Sequence, residues 1–170
     1  TGFGRLGAPF ASQYFDVKPD LITMAKAINN ATVPMGAVAA SREVHDTLLA
    51  NSETPIELFH GYTMTGLPLA CAAGLATLDV FKEQRLFERA AELAPYWENA
   101  LHSLRDARNV IDIRNLGLIG GIELEPRPGK PTARALEAFR ACFDKGVLIR
   151  VTGDIIALSP PLIIDKAQID

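Results

Sequence analysis

The sequence predicts an α/β fold in two parts, with strands and helices leading through a long helical stretch into a smaller α+β unit. Three observations carry this. Short apolar runs bounded by turn residues, at 21–25 and 35–40, have the length and composition of strands. Two helical patterns then follow one another across 67–106 with no strand between them. Beyond 107 short strands return, on either side of one further helix. The expected organisation is therefore 1–66 as the end of a larger domain, 67–106 as connecting helices and 107–170 as a small domain.

Taken in order, residues 1–13 are rich in glycine and read as a loop, and 14–20 end in the turn signal Pro19-Asp20. Residues 21–25 make a short apolar run, expected as a buried strand, with Lys26 at its end. Asn29, Asn30 and Pro34 break the chain before the second strand at 35–40. Ser41 suits the N-cap of a helix over 42–50, and Glu43 and Asp46 favour its N-terminal end. Residues 51–65 carry polar, Gly and Pro punctuation and are expected to form a long loop, a feature often tied to function. The alanine-rich stretch 68–80 is apolar nearly all round, which predicts a buried helix, and 85–104 predicts an amphipathic one. Strands are expected at 110–116 and 120–124, flanking Gly117. Thr132 is expected to cap a helix reaching Lys145, with Gly146 at its C-terminus. Strands at 147–151 and 155–158 then turn around Gly153-Asp154.

Composition narrows the function classes. The 170 residues are 48% hydrophobic and 22% charged, enough to build a core. A formal net charge of −3, from 17 basic and 20 acidic residues, argues against a nucleic-acid partner. Cys71 and Cys142 form no CxxC pair, and the scattered His45, His60 and His102 do not complete a metal site, so no metal is expected. The apolar stretch at 66–81 is broken by Pro68 and Asp79 and is too short for a membrane span. With no visible signal peptide and two thiols in apolar patterns, a cytoplasmic protein is expected. The chain opens without Met and ends a few residues into a helical pattern, so a piece of a longer protein is expected.

Two features point to chemistry. Gly2-Phe3-Gly4-Arg5-Leu6-Gly7 matches GxGxxG, a dinucleotide-binding pattern only when a strand precedes it and a helix follows. Here Pro9 and the non-periodic 10–16 deny it the helix, and Asp20 follows a proline rather than ending a strand. Lys26 is the second feature. It is flanked by Leu-Ile-Thr-Met-Ala and Ala-Ile, and desolvation by such neighbours lowers an amine pKa. An uncharged amine can then attack an aldehyde and form a Schiff base.

Several segments together resemble one family. Thr1-Gly2-Phe3-Gly4-Arg5-Leu6-Gly7, with Pro19-Asp20-Leu21-Ile22-Thr23-Met24-Ala25-Lys26, resembles the signature of the class III pyridoxal-phosphate-dependent aminotransferases. His60-Gly61-Tyr62-Thr63-Met64-Thr65-Gly66-Leu67-Pro68 is similar to the family's downstream loop. Ile149-Arg150-Val151-Thr152-Gly153-Asp154 and Leu158-Ser159-Pro160-Pro161-Leu162 resemble the ω-amino acid–pyruvate (β-alanine–pyruvate) branch. The resemblance runs in order along essentially the whole chain.

It implies a fold-type I transferase with pyridoxal 5′-phosphate as cofactor. Lys26 would be the residue joined to the cofactor and the group that shuttles the substrate proton. Thr63 would bind the cofactor phosphate, reaching across from a partner subunit of a homodimer. Arg150 would clamp a substrate carboxylate with its forked donors, against the commoner role of a solvated strand residue. The small-molecule partners implied are an amino donor and pyruvate. His60 keeps a structural role, and Arg5 and Asp154 suit ion-pair or turn roles. The family's ring-nitrogen Asp, phosphate loop and stacking aromatic should all lie upstream of Thr1, and Met64 and Thr65 depart from the usual aromatic and small residue. An inactive fragment or interaction module is the non-enzymatic alternative.

Overall fold

The computed structural model describes residues 2–54 and 58–170. They form two compact units: Ser12–Arg85 is one, and the residues up to Ala11 with Leu86–Asp170 are the other. The two long helices fall one in each unit. The mixture of helices and short antiparallel strands is the expected α/β material.

In the first unit, β1 (Leu21–Ala25) pairs antiparallel with β2 (Gly36–Ala40), from Leu21 opposite Ala40 to Ala25 opposite Gly36. The Ser41 N–H donates to the Asp20 carbonyl at 2.7 Å and closes the open end of the ribbon. Ser41 also caps α2 (Arg42–Ala50) as expected, its Oγ accepting from the Val44 N–H. The expectation of a buried β1 does not hold: its side chains alternate between exposed and half-buried. A two-stranded ribbon has one partner per strand, and these residues leave neither of its faces fully covered.

Helix α3 (Pro68–Glu83) begins with proline at its first position, where a missing N–H does no harm. It was expected to be buried all round, yet only Ala70 and Gly74 are buried. The face bearing them packs on the 3₁₀ turn Ala27–Asn29 and on Met35. Leu69 and Leu75, on other faces, are 64% and 65% exposed. Apolar composition on every side predicts burial on every side, but the described residues supply a neighbour for one side only.

The second unit has the core. Helix α4 (Leu86–His102) lays Leu93, Trp97 and Leu101 against a four-stranded antiparallel sheet ordered β3-β4-β6-β5, made of β3 (Val110–Leu116), β4 (Ile119–Leu124), β5 (Arg150–Thr152) and β6 (Ile155–Leu158). The amphipathic period of α4 explains this face. Leu118, at the β3–β4 turn, is wholly buried, worth roughly 1.5–3 kcal/mol. Helix α5 (Ala133–Asp144) ends in a Schellman arrangement: the Gly146 N–H reaches Phe143 O, the Val147 N–H reaches Cys142 O, and Gly146 is left-handed at φ 81°. Strand β5 is shorter than the 147–151 run suggests, because this motif takes up Gly146 and Val147. Tyr96 donates to Asp170 Oδ1 at 2.6 Å, and that bond holds the phenol above the ordinary tyrosine range. A single helical turn, α6 (Lys166–Ile169), closes the chain behind an Asp165–Gln168 capping box.

Thr132 does not cap α5 as expected. It is left-handed (φ 68°, ψ −14°), away from the extended backbone an N-cap needs, and its hydroxyl makes no cap bond. Its N–H instead donates to Asp154 Oδ2 at 2.9 Å. Asp154 thus serves the β5–β6 turn and anchors the start of α5. Arg5 takes no carboxylate partner among the described residues. It donates to the carbonyls of Pro160 (3.0 Å) and Ser159 (3.2 Å), and partial burial draws its pKa below the ordinary arginine value.

The glycines of the GxGxxG pattern make close protein contacts. A Cβ on Gly2 would stand 2.6 Å from Ala11 Cβ, on Gly4 2.7 Å from Leu162, and on Gly7 2.6 Å from Ala91 Cβ. Turns and bends surround them, and the helix that follows, α1 (Ala11–Tyr14), is a single turn. The strand–turn–helix frame of a dinucleotide site is therefore not formed by the described residues.

The same loop seats on the β3–β4 turn, where the Leu118 N–H donates to Arg5 O at 2.9 Å. Gly117 there has φ 53°, and a Cβ would lie 2.4 Å from Arg5 O. Gly117→Ala is expected to destabilise by about 1–2 kcal/mol from backbone conformation alone, with the clash added. The thermal midpoint of the complete protein reads this, and an unchanged midpoint would contradict the packing described.

Candidate active site

Lys26 is the first residue past β1, at the start of the connection to β2. Its backbone stands at φ 58°, ψ −85°, near the rare γ-turn region of positive φ. Such conformations in non-glycine residues cost of order 1–3 kcal/mol and persist where the surroundings over-determine them. Asn30 (φ 54°) and Ala31 (φ 55°) are also left-handed. What holds this segment is the Lys26 carbonyl, which accepts the Ala31 N–H at 2.7 Å and the Asn29 N–H at 3.4 Å. The Thr32 N–H donates to Asn29 O at 3.1 Å, and Asn29 Nδ2 donates to Val33 O at 2.6 Å.

The Lys26 side chain is exposed and makes no hydrogen bond or ion pair among the described residues. Its apolar sequence neighbours led to the expectation of a desolvated stem, and that surrounding is not supplied here. Flanking residues in a strand point to alternate faces, so apolar neighbours in sequence do not become neighbours in space.

Thr63 lies in the same unit, in a turn held by the Thr65 N–H on Tyr62 O and by the Tyr62 N–H on Thr65 Oγ1, both 2.9 Å. It is exposed, and its hydroxyl has no partner among the described residues. The turn leads directly into α3, whose buried face rests on the Ala27–Asn29 turn after Lys26. His60 packs edge-to-face on Tyr62 at 5.3 Å. The loop expected over 51–65 falls partly on 55–57, outside the described residues.

Arg150 belongs to the other unit, at the start of β5 opposite Ala157 of β6, exposed and without an ion pair among the described residues. Lys26 and Thr63 thus share one unit, and Arg150 stands in the second. The sequence did not single out Asn29, which reads there only as a chain breaker. In the structure it is wholly buried. The available signal was a polar residue three positions past the lysine, directly after the apolar pair Ala27-Ile28. Among the described residues no three His, Cys, Asp or Glu side chains gather as metal ligands would, and no helix is long and apolar enough to cross a membrane.

Solved transaminases share this fold. An (S)-enantioselective omega-transaminase from Thermomicrobium roseum superposes with a TM-score of 0.88 at 34% identity, over 99% of this chain and 38% of that one. The architecture is that of fold-type I transaminases. The family model for class III aminotransferases matches residues 1–170, and the chain belongs to that family. It is 66% identical to an omega-aminotransferase of Caulobacter vibrioides, over 100% of this chain and 39% of the relative. It is 48% identical to a beta-alanine–pyruvate aminotransferase of Pseudomonas aeruginosa, over 94% of this chain and 36% of that protein. The chain therefore spans well under half the length of the relatives it matches.

Ala31 tests whether the loop after Lys26 is strained. A left-handed alanine costs about 1–2 kcal/mol, and the extra unfolded-state freedom of glycine removes about 0.5–1 of that gain. Ala31→Gly is expected to raise the thermal midpoint of the complete enzyme modestly. A lowered midpoint would show that the backbone at 31 is not strained.

Proposed function

We propose that this chain is part of a pyridoxal-phosphate-dependent aminotransferase that moves an amino group from an ω-amino acid or amine to pyruvate. One observation carries the reading. In a chain of this family, a lysine at a strand end, in a backbone conformation rare for any side chain, has no hydrogen bond or ion pair on its amine among the described residues.

The residues present suit the cofactor. Lys26 offers a primary amine and Thr63 a hydroxyl, neither engaged among the described residues, and Arg150 offers a free guanidinium fork. Lys26 would hold the cofactor covalently, and Thr63 would hold the phosphate of the partner subunit's cofactor. When bound, pyridoxal phosphate supplies an electron sink and a carrier for the amino group. Once its amine is released, Lys26 is the base that takes the proton from the substrate carbon bearing the amino group. Arg150 orients a donor or acceptor by two parallel bonds to its carboxylate. The names of the relatives from Caulobacter vibrioides and Pseudomonas aeruginosa support the ω-amino acid and pyruvate assignment.

In this proposal residues 1–66 close the large cofactor-binding domain, 67–106 connect, and 107–170 belong to the small domain. The enzyme is a cytoplasmic homodimer in which Thr63 serves the partner subunit's cofactor. A second reading, that the 170 residues alone are an inactive piece or an interaction module, draws on the exposed apolar residues of α3. Visible absorbance on adding pyridoxal phosphate separates the two. A band in a longer polypeptide but none in the 170-residue chain would favour the second reading for the chain alone.

In the complete enzyme, Lys26→Ala is expected to abolish that band and to remove the borohydride-fixed label from the peptide containing position 26. A label retained on another lysine sinks the assignment. Arg150→Ala is expected to raise KM for carboxylate-bearing donors about tenfold or more, the loss of a charge-assisted bond, while simple amines change little. Equal effects on both donor types would remove the clamp role.

A further inference from the structure

We infer that Asn29 is a positioning residue for Lys26: its buried amide holds the connection between β1 and β2 in the strained shape from which the lysine amine projects. The inference rests on the proposed role of Lys26 and adds to it a residue whose side chain bonds within the connection itself.

The Lys26 backbone is fixed by what its carbonyl accepts, and both donors, the N–H groups of Ala31 and Asn29, lie within the connection itself. Those bonds last only while 29–33 stays folded. Within that stretch the Asn29 side chain is the clamp, joining Nδ2 to Val33 O at 2.6 Å. Asn29 is 0% exposed, so water does not compete for the bond. The orientation of the amide follows from chemistry: a carbonyl only accepts, so the atom facing Val33 O must be the nitrogen.

That orientation leaves Oδ1 buried without a partner among the described residues. An orphaned buried acceptor is unfavourable, and an apolar residue of similar shape would avoid it. What asparagine retains over leucine here is the donor to Val33 O. Without that donor, residues 29–33 lose their side-chain closure, the two bonds on the Lys26 carbonyl weaken, and Lys26 is free to relax to an ordinary backbone conformation. The base of its side chain then no longer points in one fixed direction. Helix α3 packs on the Ala27–Asn29 turn through the side bearing Ala70 and Gly74, but packing supplies no donor to Val33 O.

The test uses the complete enzyme loaded with pyridoxal phosphate and compares the parent with Asn29→Leu, Asn29→Ala and the control Asn30→Gly, which keeps the left-handed backbone at 30. Borohydride reduction and peptide mapping come first. If the parent carries no label on Lys26, the proposed role of that lysine fails and this inference fails with it. With the label on Lys26, the pH titration of the visible band and the steady-state constants read the positioning. Both Asn29 variants are expected to keep the label, to move the titration midpoint by about half a pH unit or more, and to lower kcat about tenfold with KM within about twofold. Asn30→Gly should match the parent. Asn29→Leu keeps the heavy-atom count and the branch at Cγ, so a fold lost to a cavity in Asn29→Ala does not remove the test. Parent-like midpoints and kcat, with only the melting temperature lowered, would make Asn29 a structural residue and overturn the inference.

Discussion

The carbonyl of Lys26 is the constraint on which the candidate site turns. It is the first main-chain acceptor past β1, and the chain folds back so that two N–H groups from its own connection meet it. This gives the lysine a backbone that strand propensity alone would never select. The strain is local, and what opposes it is nearby: the paired β1–β2 ribbon behind, the Asn29–Val33 bond ahead, and the buried face of α3 beneath. Remove any one and the others must carry more strain, which is how over-determined geometry persists at functional sites.

Much of this was legible in the sequence wherever the governing interaction is short-range. Ser41 caps α2 because a serine side chain finds an N–H three residues on. Gly146 ends α5 because a left-handed residue there costs glycine little. Gly153-Asp154 turns the β5–β6 pair because two residues suffice once the first tolerates positive φ. Lys26 stood out because a charged residue closed an apolar strand. The misses are tertiary. Thr132 looks like a cap by spacing, but a carboxylate 22 positions later takes its N–H and draws the backbone out of cap geometry. Asn29 reads as a breaker, and its burial depends on a helix almost forty residues downstream, which no local pattern announces.

The GxGxxG segment shows how one pattern can serve two different physical needs. Around a dinucleotide, absent Cβ atoms let the backbone approach a pyrophosphate. Here the same absences let the loop approach Ala11, Leu162 and Ala91 within distances no Cβ could share. Both uses select glycine at the same spacing, so the letters alone cannot choose. Secondary-structure context chooses, because pyrophosphate binding needs a helix N-terminus aimed at the anion. The single-turn α1 offers no such end, whereas the Arg5 bonds to Ser159 and Pro160 tie the loop to the segment just past β6.

The exposed lysine and the one-sided α3 bear on each other. A lysine working as nucleophile and base does so best where its charged form is disfavoured, which requires low-dielectric surroundings or a nearby positive charge. Among the described residues of Ser12–Arg85 the exposed Lys26 amine has no hydrogen bond or ion pair. Helix α3 has the corresponding property in apolar form: Leu69, Leu75 and Leu78 carry surface that water does not favour, on a helix whose other side supports the lysine turn. Both features make physical sense if the cover comes from polypeptide beyond these residues. The relatives are long enough to provide it, since the Caulobacter vibrioides enzyme matches this chain over only 39% of its own length. On the proposed reading, then, the 170 residues set the direction of the amine and the added polypeptide supplies its cover. Geometry and reactivity at Lys26 would be controlled by different parts of the enzyme.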